Sequence, residues 1–196
     1  MDYQRLSMGS EPRPPYLLYL GLGSNLGQRE TNLEEMAVSF HRFFAESVLL
    51  KASSVYESEP WGFACDTPFL NQVLIFDMGA CPPQPSEVLS KIAEVEHSLG
   101  RVRPSDVRYA PRTADIDILC YNGYVMHTPE LTIPHPQIPN RRFVLEPLVE
   151  IDPEGRHPML GLTWKELLAE CPDTGWVRYY AANRLATLDR LATLGG

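Results

Sequence analysis

Two aspartates one residue apart, Asp115 and Asp117, stand in the run Asp115-Ile116-Asp117-Ile118. On a strand the period of two puts both carboxylates on one face and both isoleucines on the other, so the acids can meet a ligand while the isoleucines enter a core. Like charges this close repel, and a divalent cation is the usual remedy. Magnesium takes one or two carboxylates, keeps several waters and completes its shell with substrate phosphates. Arg101, Arg103, Arg108 and Arg112 precede the pair, in a chain with fourteen Arg and three Lys among its 17 basic residues. Guanidinium forks match phosphate oxygens two at a time. Cations beside paired carboxylates point to a metal-polyphosphate site; the bland alternative is a solvated strand face among surface arginines. His135 lies between Pro134 and Pro136, a stiff setting that could aim an imidazole at a phosphate, although a lone His is more often structural. Trp61, Phe69 and Phe143 read by default as core aromatics, with Trp61 set apart by its place in a loop.

Other motifs exclude more than they assign. Gly21-Leu22-Gly23-Ser24-Asn25-Leu26-Gly27 follows an apolar run and precedes a helical pattern, but its spacing departs from G-x-G-x-x-G. It is expected to be a tight turn with glycines at positive φ. The chain has no G-x-x-x-x-G-K-[ST], no G-x-S-x-G and no kinase motif set. A net charge of -8 argues against a general binder of nucleic acid or anionic membrane, so any basic site is local. With no long apolar run and a charged, proline-bearing N-terminus, no membrane segment or signal peptide is read, and a cytoplasmic location is expected. Cys65, Cys81, Cys120 and Cys171 are widely spaced without C-x-x-C, and read as reduced thiols, Cys120 in the core.

The positioning elements follow from hydrophobic period. A length of 196 residues suits one domain, expected over 16–179 between a leader, 1–15, and an amphipathic tail, 180–196. Tyr16 to Leu20 reads as a buried strand. Leu33, Met36, Ala37, Phe40 and Phe44 make one helical stripe, with Thr31 and Glu34 as a capping box. Ser53 to Tyr56 and Phe69 to Phe76 read as strands around a turn-rich loop. Ser86 opens a second helix and Gly100 ends it; Asp115 to Tyr121 is a strand, and Asn122-Gly123 signals a hairpin into Tyr124 to Met126. The order β-α-β-β-α-β predicts an α+β fold, a ferredoxin-like split βαβ sandwich whose antiparallel sheet carries its helices on one face. Trp164 to Glu170 adds a helical stretch to the domain.

Five motifs together resemble the 6-hydroxymethyl-7,8-dihydropterin pyrophosphokinases: Gly21 to Gly27, Phe69-Leu70-Asn71, Gly100-Arg101-Val102-Arg103, Pro111 to Ile118, and Leu131-Thr132-Ile133-Pro134-His135-Pro136. They run in family order from about Tyr16 to about Cys171. The resemblance implies transfer of pyrophosphate from ATP to the pterin's hydroxymethyl group in folate biosynthesis, releasing AMP. It further implies that Asp115 and Asp117 ligate two magnesium ions and that Arg101 and Arg112 stabilise the transferring phosphates. Arg103 and Arg108 would lie on a mobile loop, and Glu96, Thr132, His135 and Arg141 would face ATP. The pterin would stack between Phe69 and Phe143, Asn71 reading its polar edge and the Ser58 to Gly62 loop, Trp61 included, supplying backbone contacts. An amide beside flat aromatics suits a planar heterocycle. Tyr109-Ala110 departs from the tryptophan and glycine of the family's arginine loop. The enzyme is expected to act as a monomer on small molecules alone.

Two other classes use parts of the same sequence. A metal-dependent phosphodiesterase would use the aspartates but needs further ligands such as a His-Asp cluster. A non-catalytic ferredoxin-like binding domain would explain the fold and leave the aspartates and arginines without a purpose.

Overall fold

In a computed structural model the described residues are 16–101 and 110–185; the leader, Arg103, Arg108 and residues from 186 onward lie outside them. Strand β1 spans Leu17–Ser24, β2 Val48–Ala52, β3 Val55–Ser58, β4 Phe69–Asp77, β5 Asp115–Tyr121, β6 Met126–His127, β7 Thr132–Ile133 and β8 Val177–Ala181. The main sheet runs β5-β1-β4-β3-β8, with β2 continuing the β3 edge farther along β4. β1 pairs antiparallel with both β4 and β5, which is the interleaving of two split βαβ halves that the element order predicts.

Both faces of the sheet are covered. On one, Leu18, Leu20, Leu22, Ile116 and Ile118 pack against α1 (Arg29–Phe43) and α2 (Pro85–Ser98) through Leu33, Met36, Phe40, Val88, Ile92 and Val95. On the other, Tyr19, Val73, Ile75 and Leu119 meet α3 (Arg142–Ile151) and α4 (Trp164–Glu170) through Leu145, Leu148, Trp164 and Leu167. Cys120 is buried in this second core, as its place in an apolar strand predicts. No helix among the described residues is long and apolar enough to cross a membrane.

Several local expectations change. The glycine motif is no tight turn: Gly21 to Ser24 complete β1, and only Gly27 of its glycines has positive φ, 66°. Ladder hydrogen bonds from β4 and β5 on both sides hold this segment extended, which turn propensity alone does not reveal. α1 begins at Arg29 behind Gln28 with no side-chain cap, so Thr31 lies inside the helix and the Thr31–Glu34 box is absent. α2 likewise starts at Pro85, where a fixed φ suits the first helical position, rather than at a Ser86 cap. A capping box does form at α4, between Thr163 and Glu166. Gly100 ends α2 with φ of 76°, as expected. The Asn122-Gly123 turn forms, but Met126–His127 pairs with Thr132–Ile133 instead of folding back on β5. Tyr180 and Ala181 belong to strand β8, paired with β3.

Candidate active site

The cross-strand register brings the motifs together. Asp115 stands opposite Gly23 and Asp117 opposite Gly21 in the β1–β5 ladder, and Gly23 stands opposite Asn71 of β4. Cross-strand neighbours share a face, so this row lies on the side of the sheet that α3 covers. A side chain at Gly23 would fill the floor: its Cβ would lie 3.6 Å from Asp115 Cβ, 3.7 Å from Phe69 and 3.8 Å from Asn71 Oδ1. The adjoining space is bounded by Ser58, Trp61, Phe69, Asn71, Arg141 and Phe143. On the other side of the aspartates a more open space of about 320 Å³ is bounded by Glu96, Arg101, Thr128 to Thr132 and His135. Asp115 and Asp117 line both.

Three arginines converge on the acids. Arg101 donates to Asp115 Oδ1 at 2.6 Å, Arg112 Nε lies 3.4 Å from Asp115 Oδ2, and Arg141 donates to Asp117 Oδ2 at 3.2 Å. Burial and the charge of Asp117 still hold the Asp115 carboxyl above its usual range, against the opposing pull of Arg112 and Arg101. Glu96, buried on α2, pairs with Arg101 and accepts the backbone N–H of Ile116 at 2.9 Å, which fixes the strand between the aspartates. Asn25, fully buried, fixes Arg112: its Oδ1 accepts the Arg112 N–H at 2.7 Å and its own N–H donates to the Arg112 carbonyl at 3.0 Å. Burial and the nearby Arg141 lower the His135 pKa to about 4, so its imidazole is neutral at pH 7. Its Nδ1 accepts from the Gln137 N–H at 3.2 Å, which leaves Nε2 to carry the proton.

A magnesium ion fits this donor set. Two adjacent carboxylates retain a repulsion that a cation relieves. Among the described residues no group of three or more His, Cys, Asp and Glu could hold a metal. The remaining ligands of such an ion would be waters and phosphate oxygens, which magnesium accepts and a structural zinc site does not.

The sequence matches the family model described as 7,8-dihydro-6-hydroxymethylpterin-pyrophosphokinase over residues 19–153. The chain belongs to this family. It is 41% identical over 135 residues to the 2-amino-4-hydroxy-6-hydroxymethyldihydropteridine pyrophosphokinase of Bacillus subtilis, covering 69% of this chain and 77% of the relative. The enzymes of the same name from Aquifex aeolicus and Pseudomonas aeruginosa are 39% and 36% identical, covering 78% and 81% of this chain and 91% and 93% of theirs. Among solved structures, the wild-type HPPK-DHPS of Plasmodium falciparum superposes with a TM-score of 0.61 at 16% identity, over 82% of this chain. The chain spans 45% of that structure's chain, and at this identity the likeness speaks for the fold.

Around the paired aspartates the structure gathers most of the residues singled out from sequence. Ser58, Trp61, Phe69, Asn71, Arg112, Arg141 and Phe143 line the aromatic space; Glu96, Arg101, Thr132 and His135 line the other. Arg141 borders the aromatic space, its guanidinium 4.9 Å from the Trp61 ring centre and 5.7 Å from that of Phe143. Glu59, within the expected Ser58 to Gly62 loop, also lines the aromatic space; sequence reasoning missed Phe63, which lines it edge-on to Phe69 with ring centres 6.2 Å apart. It missed as well the structural use of the glycine motif, although the alternation Gly21-Leu22-Gly23 carries a strand period with glycine on one face.

Proposed function

We propose that the two spaces on either side of Asp115 and Asp117 are the two substrate pockets of one pyrophosphoryl-transfer site. The activity is transfer of pyrophosphate from ATP to the hydroxymethyl group of the dihydropterin, a step of folate biosynthesis. What carries this assignment is the shared acidic wall: among the described residues, an aromatic, amide-bearing pocket and a polar pocket share Asp115 and Asp117 alone.

The pterin ring takes the aromatic pocket, with Phe69 and Phe143 against its faces. Asn71, whose amide donates to Ser58 Oγ at 2.9 Å, is held in place to read the ring's polar edge. ATP takes the larger pocket, where neutral His135 offers a donor to phosphate and Thr132 a hydroxyl. Asp115 and Asp117 would hold magnesium, two ions by the family resemblance, which supplies positive charge to the phosphates and acidity to the bound hydroxyl. Arg101 and Arg112, already fixed beside Asp115 by Glu96 and Asn25, would be free to turn to the phosphate oxygens where Asp115 and Asp117 hold a cation. The hydroxyl oxygen bonds to the β-phosphorus and gives up its proton to solvent water, the bond from that phosphorus to the α,β-bridging oxygen breaks, and AMP departs with the electron pair. Fixed charge and orientation supply most of the rate in phosphoryl-type transfer, so no strong base is required. By the family resemblance Arg103 and Arg108, which lie outside the described residues, would add positive charge towards ATP. The chain works as a cytoplasmic monomer without nucleic-acid partners, since one chain supplies both pockets.

The test is incubation with ATP, magnesium and the hydroxymethyl pterin, followed by chromatography of the nucleotides. AMP formed in step with pterin diphosphate is expected. Stoichiometric ADP, or AMP formed equally well without pterin, overturns the assignment; nucleotide hydrolysis without transfer would instead favour a phosphodiesterase.

A further inference from the structure

Behind the aromatic pocket lies another space of about 210 Å³, bounded by Pro60, Trp61, Phe143, Asp173 and Trp176. Trp61 and Phe143 thus form a wall between two spaces. Close packing normally positions a side chain by contact from behind; a wall with open space behind it depends on ties at its edges. Two such ties come from the turn between α4 and β8. Asp173 Oδ2 accepts the backbone N–H of Arg142, the first residue of α3 and the neighbour of Phe143, at 3.0 Å. Trp176 donates its backbone N–H to Glu59 Oε1 at 2.9 Å, at the start of the loop that carries Trp61. Asp173 Oδ1 closes the turn by accepting the Gly175 N–H at 2.9 Å. The β3–β8 ladder ends at Ser58 opposite Val177, so the Glu59 bond extends that pairing one residue into the substrate loop.

Gly175 is fitted to this arrangement. A Cβ there would stand 2.9 Å from Glu59 Oε1 and 3.0 Å from Asp173 Oδ1. Both atoms end side chains that can rotate, so a methyl group would displace the carboxylates from their N–H partners while leaving the turn folded.

We propose that the turn from Asp173 to Trp176 is a positioning element for the pterin, setting the separation between the Trp61 loop and Phe143. It rests on the pterin reading of the aromatic pocket. Asp173, Gly175 and Trp176 do not line that pocket; they act through Glu59 and the start of α3.

The test uses the full chain as wild type, Gly175→Ala, Asp173→Ala and Asp173→Asn. Pterin and a non-hydrolysable ATP analogue with magnesium are titrated separately by calorimetry, and KM and kcat are measured alongside thermal melting. Gly175→Ala and Asp173→Ala are expected to raise the pterin Kd and KM about tenfold, the scale of losing a hydrogen-bonded support. Saturated kcat should stay within about twofold and nucleotide affinity should not move. Asp173→Asn, whose amide oxygen still accepts one bond, should recover most of the loss. Wild-type pterin KM in a folded Gly175→Ala or Asp173→Ala chain overturns the proposal, as do equal losses for pterin and nucleotide. Failure of both to fold would make the turn a folding element and overturns it too. A wild-type chain that forms no AMP from ATP and pterin overturns the underlying functional reading instead.

Discussion

On the aromatic side of Asp115 and Asp117 the floor is the sheet itself, whereas on the nucleotide side the walls are brought in from separate elements. Gly23, Asn71, Phe69 and Ser58 sit on adjacent strands whose ladder hydrogen bonds fix their spacing. Opposite them, Glu96 comes from α2, Arg101 follows that helix, and Thr132 and His135 flank the turn after β7. The difference suits the two ligands. A flat, rigid ring is recognised by a surface that does not move, and a flexible, highly charged triphosphate is recognised by charges that can adjust. The aspartates belong to both sides because alternate residues of β5 lie at the sheet's edge, where one pocket ends and the other begins.

Variants can separate the two sides, beginning with the residues they share. Asp115→Asn and Asp117→Asn should each lower kcat by at least about a thousandfold while the protein still melts cooperatively, since each removes charge at the reacting phosphates from a side chain that lines the pockets rather than packs in the core. Turnover near wild type in either variant would end the metal assignment. Arg112→Ala should slow the chemical step by about a hundredfold in single-turnover experiments. Arg112 also lies 5.5 Å from the Phe69 ring centre, so a change confined to pterin affinity would move it to the aromatic side alone. Phe143→Ala should weaken pterin binding roughly 10- to 100-fold, the scale of one aromatic stacking contact on a heterocycle, and leave ATP-analogue binding unchanged. Equal weakening of both ligands would erase the distinction between the pockets.

The sequence made one side of this contrast more legible than the other. Asp115 and Asp117 were readable because a strand period of two fixes which way both carboxylates point. The apolar stripes of α1 and α2 were readable for the corresponding helical reason. Glycine composition misled at Gly21 and Gly23, because a residue without a side chain fits both a turn and the floor of a pocket, and only pairing with β4 and β5 decides between them. β2 and β8 were missed since each is an edge segment with mostly exposed residues and little alternation. Asn25 was visible in the motif, but its task, holding Arg112 across 87 positions of chain, is a tertiary fact.

An effect on stability rather than turnover concerns His135 and tests whether the nucleotide side is built for a neutral imidazole. Burial and then Arg141 depress its folded pKa to about 4, against partial compensation from Asp115. In the unfolded chain the ring takes up a proton below its ordinary pKa near 6.5, while in the folded chain it does so only near 4. Between those values the unfolded state binds more protons, so stability falls as pH drops from about 6.5 towards 4 and is unaffected by this group above that window. The contribution reaches at most about 3 kcal/mol at the acid end, at roughly 1.4 kcal/mol per pH unit. Glu57 and Glu166, both held below the usual carboxylate range by their hydrogen bonds, lose stability at still lower pH, and the elevated Asp115 acts in the opposite direction. The informative quantity is therefore the difference between wild type and His135→Gln in chemical denaturation from pH 7 to pH 4. The wild type should lose more stability than the variant across that interval, because glutamine keeps polar atoms near the site without a proton to gain. Parallel curves would mean that His135 titrates normally in the folded protein, and the neutral donor assigned to the phosphate pocket would have to be withdrawn.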